Sequence, residues 1–381
     1  MMTRYLKAAV CLISTLCVEV AVAQVNSPSS PAAFVYVSAS AGNNHYEINA
    51  FTAAPDGKLT PVSGSPFPAD VQSMAANGEY LFGTNGVDIY SFAVASDGAL
   101  KKVAFINAQK FNGYKCGGPY ALFLDRTGTN LYDEDFYGNA CANNTYQSFR
   151  IDRASGKLTY RGASGASVMF GLALNFADNN VYAYGSDSYH WNPYIFGFRR
   201  NRDGSLTDMN LNPPLPAAKP GDFYDPYGAA ADRSNHLAIS VRPFNGSTFQ
   251  PDGPMQLATY SADDSGNLTT HSTFSNMPAA AVTYAMDIRM SPSGKLLAVG
   301  GESGLQVFHF NGGKPITHYT GLLTGDLVNQ VFWDKENHLY AISPSAGKLY
   351  VFTVTPTSVR QAPGSPYTIT SPQNITVLSK M

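Results

Sequence analysis

The sequence predicts an all-β chain folded as a seven-bladed β-propeller, and three observations carry that reading. A phrase of strand-forming residues running into a Gly-x-Leu turn recurs along the chain, as in Tyr46–Phe51 followed by Asp56-Gly57-Lys58-Leu59. The recurrence, at roughly 40 to 60 residues, is the mark of a radial repeat. The last strand-like segment, Gln373–Leu378, has no blade of its own, while the first unit, opening at Phe34, lacks a leading strand.

Taken in order, residues 1–23 read as a secretory signal. Arg4 and Lys7 form its basic end, Ala8 to Val18 its apolar run and Ala21-Val22-Ala23 its small-residue cleavage site. The run is shorter than the ~20 apolar residues that span a bilayer. The Ser/Pro-rich residues 24–33 read as a flexible leader, and residues 34–381 as a single propeller domain.

Within the domain each unit is expected to open on an apolar segment ending in Asp, Asn or Ser. These are Met74–Asn77, Ala121–Asp125, Gly171–Asn175, Gly228–Asp232, Asp287–Ser291 and Gln330–Asp334. A second strand follows at Tyr80, Asn130, Asn180, His236, Lys295 and His338. A third leads into the glycine turn, which supplies the positive φ of a tight connection. The turn is blurred in the last two units, at Gly312–Ile316 and Pro356–Val359. Joining the orphan C-terminal strand to the three N-terminal strands completes a seventh blade and removes the open edges of a linear array. About 350 residues then give roughly 50 per blade, ordinary for four strands.

Composition narrows the function classes. Charged residues are 14% and the formal net charge is −2, which excludes the basic footprint of a nucleic-acid binder. Removal of the signal takes Cys11 and Cys17 and leaves Cys116 and Cys141, an expected disulfide in an oxidising compartment worth roughly 3.5 kcal/mol. Four Asn-x-Ser/Thr matches, at Asn143, Asn245, Asn267 and Asn374, are read as chance.

These repeats, with the blade-ending phrases Gly64-Ser65-Pro66-Phe67 and Gly364-Ser365-Pro366-Tyr367, resemble the lactonase-type seven-bladed propellers, the phosphogluconolactonase and cycloisomerase group related to bacterial YVTN-repeat proteins. The resemblance covers the mature chain. It implies a site at the channel mouth, with Pro-His and Arg-His pairs before two successive innermost strands. Here those positions read Gly118-Pro119-Tyr120-Ala121 and Val168-Met169-Phe170-Gly171, so no catalytic residue carries over.

No serine elbow, phosphate loop or Cys-x-x-Cys occurs, and no histidine pattern points to a metal. Asp133-Glu134-Asp135 lacks the spacing of a dedicated Ca²⁺ loop and reads as a solvated charge run, and His236 and His338 read as equivalent repeat positions. The residues that open the inner strands remain, because seven of them converge on the axis. Tyr120, Tyr227, Asp287, Arg289, Asn329 and Gln330 are the candidate ligand-binding set, a stacking and hydrogen-bonding surface suited to a small polar or carbohydrate ligand. The expectation is an exported, monomeric binding or scaffold module without cofactor, metal, nucleic acid or membrane span. A lactone hydrolase or cycloisomerase with a remodelled site is the alternative, and an adhesive surface protein the third.

Overall fold

The computed structural model describes residues 30–42, 45–111, 117–137, 145–164, 175–177, 181–187 and 193–380. The expected signal, Cys116, Cys141 and Phe170 lie outside them. The described chain is all-β apart from one short 3₁₀ turn, Gln109–Phe111, and its strands form seven antiparallel sheets, the blades of the propeller.

Blade 1 is the clasp: Pro372–Ser379 lies innermost, followed outward by Ala33–Gly42, His45–Ala53 and Leu59–Pro61. Val35 pairs with Val377 and Val37 with Ile375. Blade 2 runs from Ser73–Ala76 to Leu100–Asn107, blade 3 from Gly117–Leu124 to Leu158–Ala163, and blade 4 from Asn175–Ala177 to Leu206–Asp208. Blade 5 spans Asp222–Ala231 to Leu268–Thr269, blade 6 Ala285–Met290 to Thr317–Thr324, and blade 7 Gln330–Trp333 to Ser358–Gln361. The Gly-Ser-Pro phrases form short extra strands, Phe67–Pro68 and Tyr367–Thr368, on the third strands of blades 1 and 7.

The core is seven apolar clusters, one at each interface between neighbouring blades. Alternation along a strand feeds two of them. Phe34 and Tyr36 pack toward blade 2, whereas Ala33, Val35 and Val37 pack toward blade 7. Because both faces are covered, such strands read as continuous apolar runs, and each large side chain so buried contributes about 1.5–3 kcal/mol.

The glycine turns do more than reverse the chain. Four of the turn carbonyls take a hydroxyl from the preceding blade: Tyr36 donates to Gly98, Ser91 to Gly156, Tyr132 to Gly204 and Tyr184 to Gly266, at 2.8–2.9 Å. Gly98, at φ 92°, lies so close to Phe34 that an added Cβ would stand 2.7 Å from its ring. The interlock closes the ring through His338 of blade 7, whose Nε2 lies 3.2 Å from the Pro55 carbonyl of blade 1. His338 Nδ1 meets Asp334 at 2.7 Å, and His236 meets Asp232 at 2.9 Å, so the two histidines hold equivalent repeat positions.

One expectation is corrected. Asp133, Glu134 and Asp135 are buried rather than solvated, with exposures of 0%, 5% and 0%. The strand Asn130–Tyr137 contains all three, and ladders on both sides hold them between neighbouring strands.

Two outcomes follow for the ring. Burial pulls the His338 pKa down, but the hydrogen bond and charge of Asp334 more than reverse this and raise it above 6.5. Its stabilisation is therefore complete below the unfolded value of ~6.5 and lost as pH rises through the folded one. Urea unfolding across pH 5 to 9 is expected to show that decline, and His338→Gln to flatten it while lowering stability at pH 5 by about 1–2 kcal/mol. Deleting residues 372–381 removes the inner strand of blade 1, and calorimetry is expected to show a sharply lower melting temperature; an unchanged one would refute the clasp.

Candidate functional site

Inner strands begin at one mouth of the channel, and there the ladder is repeatedly interrupted. Gln373, Tyr120 and Met286 each stand as an extra residue in a β-bulge, and Tyr227-Gly228 together oppose the single position of Ser240. A bulge turns a side chain out of the alternating pattern and re-aims it. Tyr120 is 62% exposed and Met286 40%. Tyr227 is turned inward, 5% exposed, with its ring edge-on to Tyr284 at 4.9 Å in the interface of blades 5 and 6.

Next to the bulges, polar side chains reach sideways to the backbone of the following blade. Ser73 Oγ accepts the Leu122 N–H at 3.1 Å, Asp287 Oδ2 that of Val331 at 2.9 Å, Gln330 Oε1 that of Ile375 at 2.6 Å and Asn374 Oδ1 that of Met74 at 2.9 Å. Hydroxyls of the second strands complete the stitching: Ser38 donates to the Gln72 carbonyl at 2.8 Å and Thr84 to that of Pro119 at 3.2 Å. Such bonds satisfy inner-strand groups that have no ladder partner on the channel side.

Asp287 also holds Arg289, with Nε 3.2 Å from Oδ1. Burial raises the Asp287 pKa above its ordinary value, and the Arg289 charge acts against that rise. The Arg289 guanidinium lies 5.9 Å from the Phe332 ring centroid, and its carbonyl accepts the Trp333 indole N–H at 3.1 Å. Arg289, Gln330, Ser73, Asn374, Leu122 and Phe332 are among the residues lining a channel cavity of about 210 Å³. Asn329 stands at the rim, with Nδ2 3.5 Å from the Gln373 carbonyl and a buried Oδ1 that accepts no hydrogen bond.

Of the six candidate residues, Arg289 and Gln330 thus meet at the cavity, Asp287 positions Arg289, Asn329 and Tyr120 sit at the rim, and Tyr227 belongs to a blade interface. Ser73, which the sequence already places among the residues opening the inner strands, and Phe332 also stand in the cavity wall although neither is in the candidate set; the signal for Phe332 was its place within an opening segment. Among the described residues no group of three or more His, Cys, Asp or Glu side chains is arranged for a metal, and no helix is long and apolar enough to cross a membrane.

In overall fold the chain is similar to a candidate 6-phosphogluconolactonase from Bacteroides uniformis, with a TM-score of 0.67, 14% identity, and 91% of this chain and 99% of that one covered. A second, from Bacteroides fragilis, gives 0.62 at 15% identity over 92% and 99%. A protein from Lactobacillus plantarum gives 0.66 at 13% over 92% and 100%. No family model matches the chain, and no curated protein matches it in sequence. The likeness is therefore one of fold, a lactonase-like propeller.

The stitching makes a prediction that separates structure from chemistry at Asp287. Asp287→Asn keeps an acceptor for Val331 and is expected to change urea-unfolding stability by under about 1 kcal/mol. Asp287→Ala leaves the Val331 N–H and the Arg289 guanidinium without their partner and is expected to lose about 2–4 kcal/mol.

Proposed function

We propose that the protein acts after export as a binding module whose channel mouth takes a small polar ligand, a carbohydrate or sugar lactone, without turning it over. The observation that carries this reading is the commitment of the mouth's ionisable groups. Asp287 is held by Val331 and Arg289, and Arg289 is held by Asp287 and lies over Phe332. General-base catalysis needs a group within reach of a substrate proton, and oxyanion stabilisation needs a donor aimed at developing charge. The equivalent segment of blade 4, residues 165–174, contains no ionisable side chain in its sequence.

What the bulges do present suits recognition. Tyr120 offers a ring, Met286 an adaptable apolar contact and Gln373 an amide. An aromatic face beside a few fixed polar groups is how protein sites grip ligands of mixed polarity. The names of the fold neighbours supply the substrate class to try first.

A calorimetric screen of sugars and sugar lactones is the test. A ligand is expected whose affinity falls about tenfold, ~1.4 kcal/mol, in Tyr120→Ala, while pH-stat assays of sugar-lactone hydrolysis stay at background. Turnover above background that disappears in Arg289→Ala would overturn the reading in favour of a lactone hydrolase.

A further inference from the structure

We propose that blade 3 carries a binding site for a hard divalent cation, Ca²⁺ by its donor set, formed by Asp133, Asp135 and Gln147. Strand alternation puts Asp133 and Asp135 on one face of Asn130–Tyr137, the face that Leu131 packs toward blade 2, while Tyr132 and Glu134 occupy the other. Gln147 stands directly opposite Asp133 in the neighbouring strand. The three side chains are 0%, 0% and 1% exposed.

Their hydrogen bonding is incomplete in a specific way. Gln147 donates its Nε2 to Asp135 Oδ2 at 2.9 Å, which fixes its amide over the pair. Both Asp133 carboxyl oxygens and the Gln147 Oε1 are sealed from solvent without a well-formed hydrogen bond, the Gln147 N–H being the one donor near enough to act on the Asp133 carboxyl. Buried polar atoms are ordinarily satisfied, and a buried carboxylate is ordinarily paired or bound to a metal. Burial first, and then the Asp135 charge, hold the Asp133 carboxyl well above its usual range.

A proton shared between two carboxyls would relieve their repulsion but not the Gln147 carbonyl, which is an acceptor and remains unmatched. A cation answers both at once. Carboxylate and amide oxygens are the donors Ca²⁺ takes, in flexible geometry, whereas Mg²⁺ demands a near-ideal octahedron and keeps several waters, which a site sealed from solvent does not favour. The cation would brace the rim, since Asp135 pairs with Pro119 immediately beside the Tyr120 bulge.

The test uses the mature chain stripped with EDTA and titrated with CaCl₂ by calorimetry and thermal unfolding. One Ca²⁺ per chain and a melting temperature raised by a few degrees at saturation are expected, with a smaller rise in equal MgCl₂. Asp133→Asn keeps the shape and removes a buried charge, so its metal-free form is expected to melt no lower than wild type while its Ca²⁺ affinity falls at least 100-fold. Gln147→Leu is expected to weaken binding about tenfold. Absence of heat and of a thermal shift in the wild type overturns the site, whether or not the variants fold; so does an Asp133→Asn protein that binds Ca²⁺ as the wild type does.

Discussion

Four successive pairs of blades are keyed together by a hydrogen bond to the carbonyl of a turn glycine, and His338 makes the equivalent contact to Pro55 where the ring closes; the rest of the ring depends on these contacts. The turn must come close enough for Tyr36, Ser91, Tyr132 and Tyr184 to reach it, which leaves no space for a side chain at Gly98 against Phe34 or at Gly156 against Tyr80. The same approach seats the apolar clusters, because each lies between the two sheets that the turn draws together. Where a glycine turn is blurred the contact is kept by other means: in blade 6, Tyr319 donates to the Thr355 carbonyl of blade 7 at 2.8 Å. The ring is thus a closed series of nearest-neighbour interfaces, in which loosening one loads the next.

At the axis the problem is reversed. Inner strands are edges, and the groups they turn toward the next blade have no ladder. Ser73, Asp287, Gln330 and Asn374 supply acceptors there, so residue types that suggest chemistry in a linear reading serve the architecture in three dimensions. A related device appears at the periphery. Ser65, Ser164, Ser272, Thr320 and Ser365 each place a hydroxyl oxygen on an N–H of the third strand, at 2.9–3.0 Å, where the outermost strand has moved away.

The blades, their order and the clasp were legible because they rest on period-two alternation and on repeated glycine turns, signals that survive in a single sequence. The mouth was legible only in part. A one-residue bulge reverses which neighbour faces the axis, and nothing in Gly118–Ala121 or Asp225–Ala229 announces one, so Tyr227 read as a stacking platform although its ring lies in a blade interface. Asp133–Asp135 misled for another reason. Three successive carboxylates normally mark a solvated run, and the burial of these depends on strands that meet them only in the folded sheet.

The bulges at the rim separate what the scaffold requires from what the mouth displays. Tyr120 and Met286 have been released from the ladder, so a substitution at either position alters the displayed chemistry without breaking a strand pair. Selection can therefore act on the rim as on an interchangeable cassette: one ring geometry can carry an unrelated set of specificities, with neither gain nor loss of activity leaving a trace in the architecture.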